Sequence, residues 1–258
     1  MDMKIYVCVK HVPDSAANIA VKDGNTIDDK ISFLLNPYDE HAVTEAAALK
    51  KHLGRGEVIA ISLGTEDVEK TLRSAMAMGA DRSILVKTDR QRDSIFTARA
   101  LKAAIDQDGS PAIIFTGRES IDMEGMQTMF RLGAAFGFPV ASNVIKFTPE
   151  KNSATVESQT EGGGKNIYHL SMPCVLGVGR GINTPSYPTF PDVVKARKKE
   201  VKTIDVKDLN ITPSPSSMSV ISLEPFAQER RAREITGTPA EQVQTLVNIL
   251  RNEAKVLN

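Results

Sequence analysis

The feature that most constrains this chain is an alternation of periods. Four strand-like apolar runs, at 5–9, 58–63, 83–86 and 112–116, are separated by segments whose apolar residues recur every three to four positions. Strand–helix alternation of this kind packs helices over a parallel sheet, so the sequence reads as an α/β fold with a mostly parallel sheet covered by helices. At 258 residues there is material for one substantial core, or one main domain with an appended arm.

Local signals fill in the elements. Asp23-Gly24 reads as a hairpin turn. Asn36 caps a helix that has Pro37 at its first position and Asp39 in its first turn, buries Ala42, Ala46, Leu49 and Leu53, and ends at Gly54. A second helix from about Thr65 buries Val68, Leu72, Ala75 and Met76 and stops at a left-handed Gly79. A third spans about 94–106, with Ile95, Ala98, Leu101 and Ile105 on one side. A fourth follows the loop opened by Gly117. Beyond Phe147 the pattern changes to two antiparallel strands around "EGGGK" (161–165), then a strand at 174–179. From Asp205 onward the apolar rhythm thins, with one apolar strand expected within 211–225. Thr238 and Glu241 then form a capping box around Pro239, and Val243, Leu246, Val247 and Leu250 make a stripe that needs a surface, in its own domain or on a partner. The division drawn is 1–204 as the α/β domain and 205–258 as an arm.

Composition excludes several function classes. Lys plus Arg and Asp plus Glu are both 32, so no global field favours nucleic acid or an anionic membrane. The apolar run in "MDMKIYVCVKHVPD" is too short to span a membrane, and the segment lacks the basic front and cleavage site of a signal peptide; the expectation is a soluble cytoplasmic protein without membrane insertion. Cys8 and Cys174 read as buried thiols. His11, His41, His52 and His169 are scattered and no metal-ligand spacing occurs, so no metal site is expected.

In open parallel sheets, ligands sit at the carboxyl ends of the strands. Here those ends are 8–14, 63–65 and 117–128, joined by the turn at 36–39. "GRESIDMEGMQT" (117–128) is the most informative. Gly117 follows a strand directly, Gly125 gives backbone freedom, and a run of amides before a helix, with Gln127 and Thr128 as donors and Arg118 as a cation, suits a phosphate. The alternative is an ordinary strand-to-helix loop, and helix capping alone would account for Asn36, Pro37 and Asp39. "GGGK" (162–165) and "GVGRG" (177–181) do not lead into helices and are rejected as phosphate loops. No histidine is placed to activate Ser120 beside Asp122, and Lys10-His11 reads as a solvated pair. No catalytic residue is assigned, so redox chemistry would come from a cofactor.

Several ordered stretches together resemble the small, or beta, subunit of electron-transfer flavoproteins over nearly the whole chain: "VCVKHVPD" (7–14), "NPYDEHAVTEAAALK" (36–50), "AMAMGADRSILV" (75–86), "TGRESIDMEGMQT" (116–128), "EGGGK" (161–165) and "YPTFPDVVKARKKE" (187–200). The resemblance implies an α/β domain of the adenine-nucleotide-binding, Rossmann-like type. It also implies a heterodimer with a larger alpha subunit that carries most of the FAD site and is wrapped by the arm 205–258. By position, Cys8 and Leu63 would line the adenine, and Asn36, Pro37, Tyr38 and Asp39 would close over the nucleotide. Gly117, Arg118, Glu119, Ser120, Ile121, Asp122, Met123, Glu124, Gly125, Met126, Gln127 and Thr128 would wrap its phosphates. That nucleotide is AMP in ordinary members and a second FAD in electron-bifurcating ones. Asp122-Met123-Glu124 departs from the family's aspartate-rich run, while Gln127-Thr128 resembles the AMP type.

The stretch at about 183–200 falls where the family has its recognition loop. Phe190, followed by Pro191, takes the place of the apolar anchor, more often leucine, that enters a pocket on an acyl-CoA dehydrogenase. Lys195 and Lys198 match the nearby basic helix, whereas Gln159, Thr184 and Ser186 depart from the family pattern. The function implied is an electron-carrier subunit without substrate turnover of its own. Two readings of other classes stand beside it: a stand-alone adenine-nucleotide-binding hydrolase, disfavoured by the lack of a triphosphate lysine loop, and a proline-motif adaptor built on Pro185, Pro188 and Pro191.

Overall fold

In a computed structural model, which describes residues 3–28, 30–89, 92–211, 218–225 and 232–257, the alternation becomes a nine-stranded sheet. β1 (Lys4–Cys8) opens it. β2 (His11–Pro13), β3 (Val21–Lys22), β4 (Thr26–Ile27) and β5 (Phe33–Leu35) then form two short ribbons, β2 against β5 and β3 against β4, the latter turning through Asp23 and Gly24 at positive φ. There follow α1 (Pro37–Leu53), β6 (Glu57–Gly64), α2 (Val68–Ala77), β7 (Arg82–Lys87), α3 (Ser94–Asp108), β8 (Pro111–Gly117) and α4 (Thr128–Phe136). The remaining strands are β9 (Val140–Pro149), β10 (Ser153–Gln159), β11 (Lys165–Ser171), β12 (Val175–Val178) and β13 (Val201–Asp205), with α5 (Phe190–Ala196) before the last and α6 (Pro239–Asn248) near the chain end.

The order across the sheet is β11-β10-β9-β12-β8-β1-β6-β7-β13. Every pairing from β9 to β13 is parallel, and β10 and β11 extend that edge antiparallel. β1 is central: the chain walks through β6 and β7 on one side and returns to β8 on the other. The order therefore reverses between β1 and β8, and the crevice at their carboxyl ends is the switch point where such sheets bind ligands.

Both faces of β1 are buried, which explains its unbroken apolar run. Val7 faces Ala42, Val43, Ala46 and Leu72 of α1 and α2, while Tyr6 and Cys8 face Leu101 and Ile105 of α3 and Met129 and Leu132 of α4. At the amino edge the Tyr6 hydroxyl donates to Asp108 Oδ2 at 2.7 Å, an oxygen that also takes Arg82 Nη2 at 2.7 Å and Lys4 Nζ at 3.0 Å. Both cysteines are free and buried.

Three local expectations change. α2 ends on Met78 in right-handed conformation, followed by Gly79 at φ 136, which lies outside the left-handed helical well. β9 and β13 are strands with no counterpart in the sequence reading. No strand forms over 218–225, and the rest of the apolar strand expected within 211–225, at 212–217, lies outside the described residues.

The chain forms two compact units, Met1–Ile221 and Ser222–Asn258. Leu209 is buried and Ile211 packs on the α3–α4 side of the core, so the chain just after β13 still belongs to the first unit. In the second, the Thr238 amide and hydroxyl both donate to Glu241 Oε2 at 2.8 Å, the expected capping box. A wide turn at Ile249–Glu253 extends α6, and Arg233 pairs with Glu253 at 3.0 Å. Among the described residues no helix is long and apolar enough to cross a membrane.

Candidate functional site

The carboxyl ends of β1 and β8 are joined by the first turn of α1. Asp39 is buried, and its carboxylate accepts the Lys10 amide on Oδ2 at 2.7 Å and the Gly117 amide on Oδ1 at 2.9 Å. Asn36, also buried, donates from Nδ2 to the Glu119 carbonyl at 2.8 Å and accepts the Ile121 amide at 3.2 Å. Asn36 occupies the N-cap position but makes no side-chain cap bond. The capping account of Asn36 and Asp39 is thus corrected: the Asn36 side chain holds loop 117–128, and Asp39 ties the start of that loop to the chain just after β1. Burial pushes the Asp39 carboxyl up to about 7, against the pull of the Lys10 amide, Asn36 and the Gly117 amide.

Lys10 completes the clamp and is not the solvated residue expected. Its ammonium reaches both oxygens of Asp122 at 2.7 Å and the Ser120 hydroxyl at 3.2 Å. His11 stacks on Phe33, with ring centroids 4.6 Å apart, and its Nδ1 lies 2.6 Å from the Thr71 hydroxyl. Arg118 is committed to Glu119, with Nε at 2.9 Å and Nη2 at 2.5 Å. Its guanidinium and that of Arg180 both lie over the Tyr38 ring, at 5.4 and 5.1 Å. Sequence reasoning missed Arg180; it sits in the segment set aside with "GVGRG".

The second half of the loop is bound differently. The Glu124 amide closes a turn on the Ser120 carbonyl at 2.8 Å, and Glu124 and Met126 then adopt positive φ, 48° and 49°. Gly125 does not, so the backbone freedom expected of the glycine is exercised by its two neighbours. Met126 is followed by right-handed Gln127 (φ −103, ψ −36), so the backbone changes hand just before α4. Among the described residues, the amides of Gly125, Met126 and Gln127 have no acceptor. Leu63 and Met126 pack against the same buried cluster as Cys8, forming an apolar wall on the α3–α4 side, and burial pushes the Cys8 thiol far up. The sheet thus brings Cys8, Leu63, the Asn36–Asp39 turn and loop 117–128 to one crevice.

Residues 25–209 match the family described as Electron transfer flavoprotein domain. The electron transfer flavoprotein subunit beta of Bacillus subtilis is 30% identical over 99% of this chain and all of the relative. The chain belongs to the electron transfer flavoprotein beta-subunit family. The mitochondrial electron transfer flavoprotein subunit beta of Arabidopsis thaliana is 33% identical over 99% of the chain and all of its own length, and the electron transfer flavoprotein subunit beta of Sus scrofa is 31% identical over 99% of each. Beta subunits of electron transfer flavoproteins carry electrons in association with flavin rather than turn over a substrate.

The remaining expected site residues lie elsewhere, on α5 and in the turn that follows it. Phe190 is its first residue and is 81% exposed; Thr189 and Asp192 close a capping box beneath it, with the Thr189 hydroxyl donating at 2.6 Å. Pro191, Lys195 and Lys198 are also exposed, as is Tyr187 at 93%. Lys199, the residue after Lys198, points inward: its ammonium donates to the carbonyls of Met76 at 2.9 Å and Ala80 at 2.6 Å. Behind this segment runs a groove of about 800 Å³ lined by Leu35, Ala77, Met78, Tyr187 and Val193.

Proposed function

We propose that this chain is the small subunit of a heterodimeric electron-transfer flavoprotein. It pairs with an alpha subunit that holds most of the FAD, accepts electrons from acyl-CoA dehydrogenase-type flavoenzymes, and binds AMP as a structural nucleotide. The observation that carries the nucleotide reading is the run of three unpaired amides at Gly125–Gln127 set against the wall of Cys8, Leu63 and Met126. The crevice fits the group: the amides and the start of α4 would take the phosphate, and the wall the adenine. The FAD supplies the redox chemistry when bound. This chain's residues bind and orient. Asp39 and Asn36 hold the loop, and Lys10 neutralises the Asp122 carboxylate beside it. Thr128 at the loop's end supports AMP over a second FAD. The exposed Phe190 on its capped helix supports docking to the dehydrogenase, and the arm 205–258 is read as wrapping the alpha subunit.

The test is to co-purify the chain with the product of a neighbouring gene and extract the nucleotides. One FAD and one AMP per heterodimer is the expected result, and two FAD would move the protein to the electron-bifurcating class. A colourless single chain that hydrolyses ATP would overturn the reading.

A further inference from the structure

α5 has seven residues, too few to hold a helix by itself in water. Its last carbonyls, like those of every helix, lack partners within the helix. Backbone amides just past the helix take the carbonyls of Val193, Lys195 and Ala196, and a residue of another helix ties the end and the turn after it: Arg73 Nη1 donates to the carbonyls of Ala196 at 2.9 Å and, beyond the helix, of Arg197 at 3.1 Å and Lys199 at 2.8 Å. Glu69 aims the guanidinium, accepting Nη2 at 2.9 Å and Nε at 3.2 Å. The debt runs the other way too. α2 has no basic residue in its last turn, and Lys199, from beyond α5, donates to the carbonyl of Met76 in that turn and of Ala80 just past it. The two helices therefore exchange cationic caps at their C-terminal ends, where the helix dipole also favours positive charge.

We propose that Arg73 and Lys199 are positioning residues for the docking surface, fixing α5 so that Tyr187 and Phe190 are presented in one orientation without either cation touching the dehydrogenase. The inference rests on the docking reading above. An anchor held in place loses less entropy on binding than one on a loose segment. The basic run after Phe190 thus divides by role: Lys195 and Lys198 face outward, while Lys199 belongs to the scaffold.

The experiment uses the assembled heterodimer carrying Arg73→Met, Arg73→Lys, Lys199→Met or Phe190→Ala, alone and with Arg73→Met combined with Phe190→Ala. Amide hydrogen exchange over 190–197 is read alongside the KM for an acyl-CoA dehydrogenase reduced by its acyl-CoA, with flavin content and dithionite reduction measured in parallel. Arg73→Met should speed exchange in α5 and raise the KM, each by about tenfold, the scale of losing hydrogen bonds from a charged group. Flavin content and dithionite reduction should not move. Arg73→Lys should restore part of both effects, and Arg73→Met should add little to Phe190→Ala because both act through one anchor. Unchanged exchange overturns the proposal. So does faster exchange with an unchanged KM where Phe190→Ala raises it. If Phe190→Ala itself leaves the KM unchanged, the docking reading fails first. Should Arg73→Met fail to fold, Lys199→Met carries the same readouts.

Discussion

Gly117 and Asp39 meet with no space for a side chain between them. The Gly117 amide donates to Asp39 Oδ1 at 2.9 Å, and a Cβ on Gly117 would lie 2.4 Å from that oxygen, 2.7 Å from the Tyr38 Cβ and 3.0 Å from its carbonyl carbon. The end of β8 is seated directly on the first turn of α1, so Gly117→Ala should cost about 1–3 kcal/mol of stability by overpacking and lower the bound nucleotide. Gly125→Ala is the control. Its Cβ would find no atom nearer than 3.9 Å, and thermal unfolding should place it within about 0.5 kcal/mol of wild type.

Asp39→Asn tests the clamp through pH. Each carboxylate oxygen takes one amide, whereas an asparagine presents one carbonyl and turns an N–H toward the other, leaving a buried donor unpaired at about 1–3 kcal/mol. With the folded carboxyl pushed up to about 7 and the unfolded one near 3.8, the folded state retains a proton between those values that the unfolded state has released. The Asp39 contribution to stability therefore falls as pH rises from about 4 to about 7 and levels off above it, a contribution that Asp39→Asn lacks. Denaturant unfolding at pH 5 and pH 8 should show the wild-type advantage over the variant shrinking at the higher pH; an equal advantage at both would contradict the raised pKa.

Much of this architecture is readable in the sequence, and the failures have physical causes. β1, β6, β7 and β8 announce themselves because both of their faces are buried. β13 does not: as an edge strand only Ile204 of its five residues is fully buried. β9 is hidden by a register shift against β12 and by Asn143 at φ 51 within it. The turn at 36–39 illustrates a deeper limit. Asn-Pro-x-Asp is an adequate helix start, and nothing local reveals that the partners of Asn36 and Asp39 lie about eighty residues away, at Gly117, Glu119 and Ile121. Lys199 is likewise indistinguishable from Lys198 until the fold sets it over the end of α2.

Asp108 offers a stability test that leaves the nucleotide crevice untouched, because it lies at the amino edge of the sheet. Burial alone would raise its carboxyl, but the bonds from Arg82, Tyr6 and Lys4 outweigh that and hold it well below the usual carboxylate range. A lowered folded pKa contributes stability that is present above about pH 4 and lost as pH falls below it. Asp108→Ala should cost about 1–3 kcal/mol near neutral pH, since the Tyr6 hydroxyl and the Lys4 ammonium lose its carboxylate while Arg82 keeps its two bonds to Glu57, and the cost should shrink in acid. AMP content should be unchanged; its loss would indicate that the two ends of the sheet are coupled.

Lys10→Met separates tethering from charge in the proposed nucleotide site. The Lys10 ammonium both holds the loop at Ser120 and Asp122 and cancels the Asp122 carboxylate, whose side chain is only 13% exposed. Removing it leaves that carboxylate unpaired near the place proposed for the phosphate, so two penalties combine and AMP affinity should fall by about tenfold or more. Adding Asp122→Asn removes the repulsion but not the lost tether. The double variant should therefore recover part of the affinity, and extraction of AMP from the purified heterodimers, followed by titration of the stripped protein, measures how much. Full recovery would mean that Lys10 acts only by neutralising Asp122. If Lys10→Met alone leaves AMP binding unchanged, loop 117–128 does not hold the phosphate.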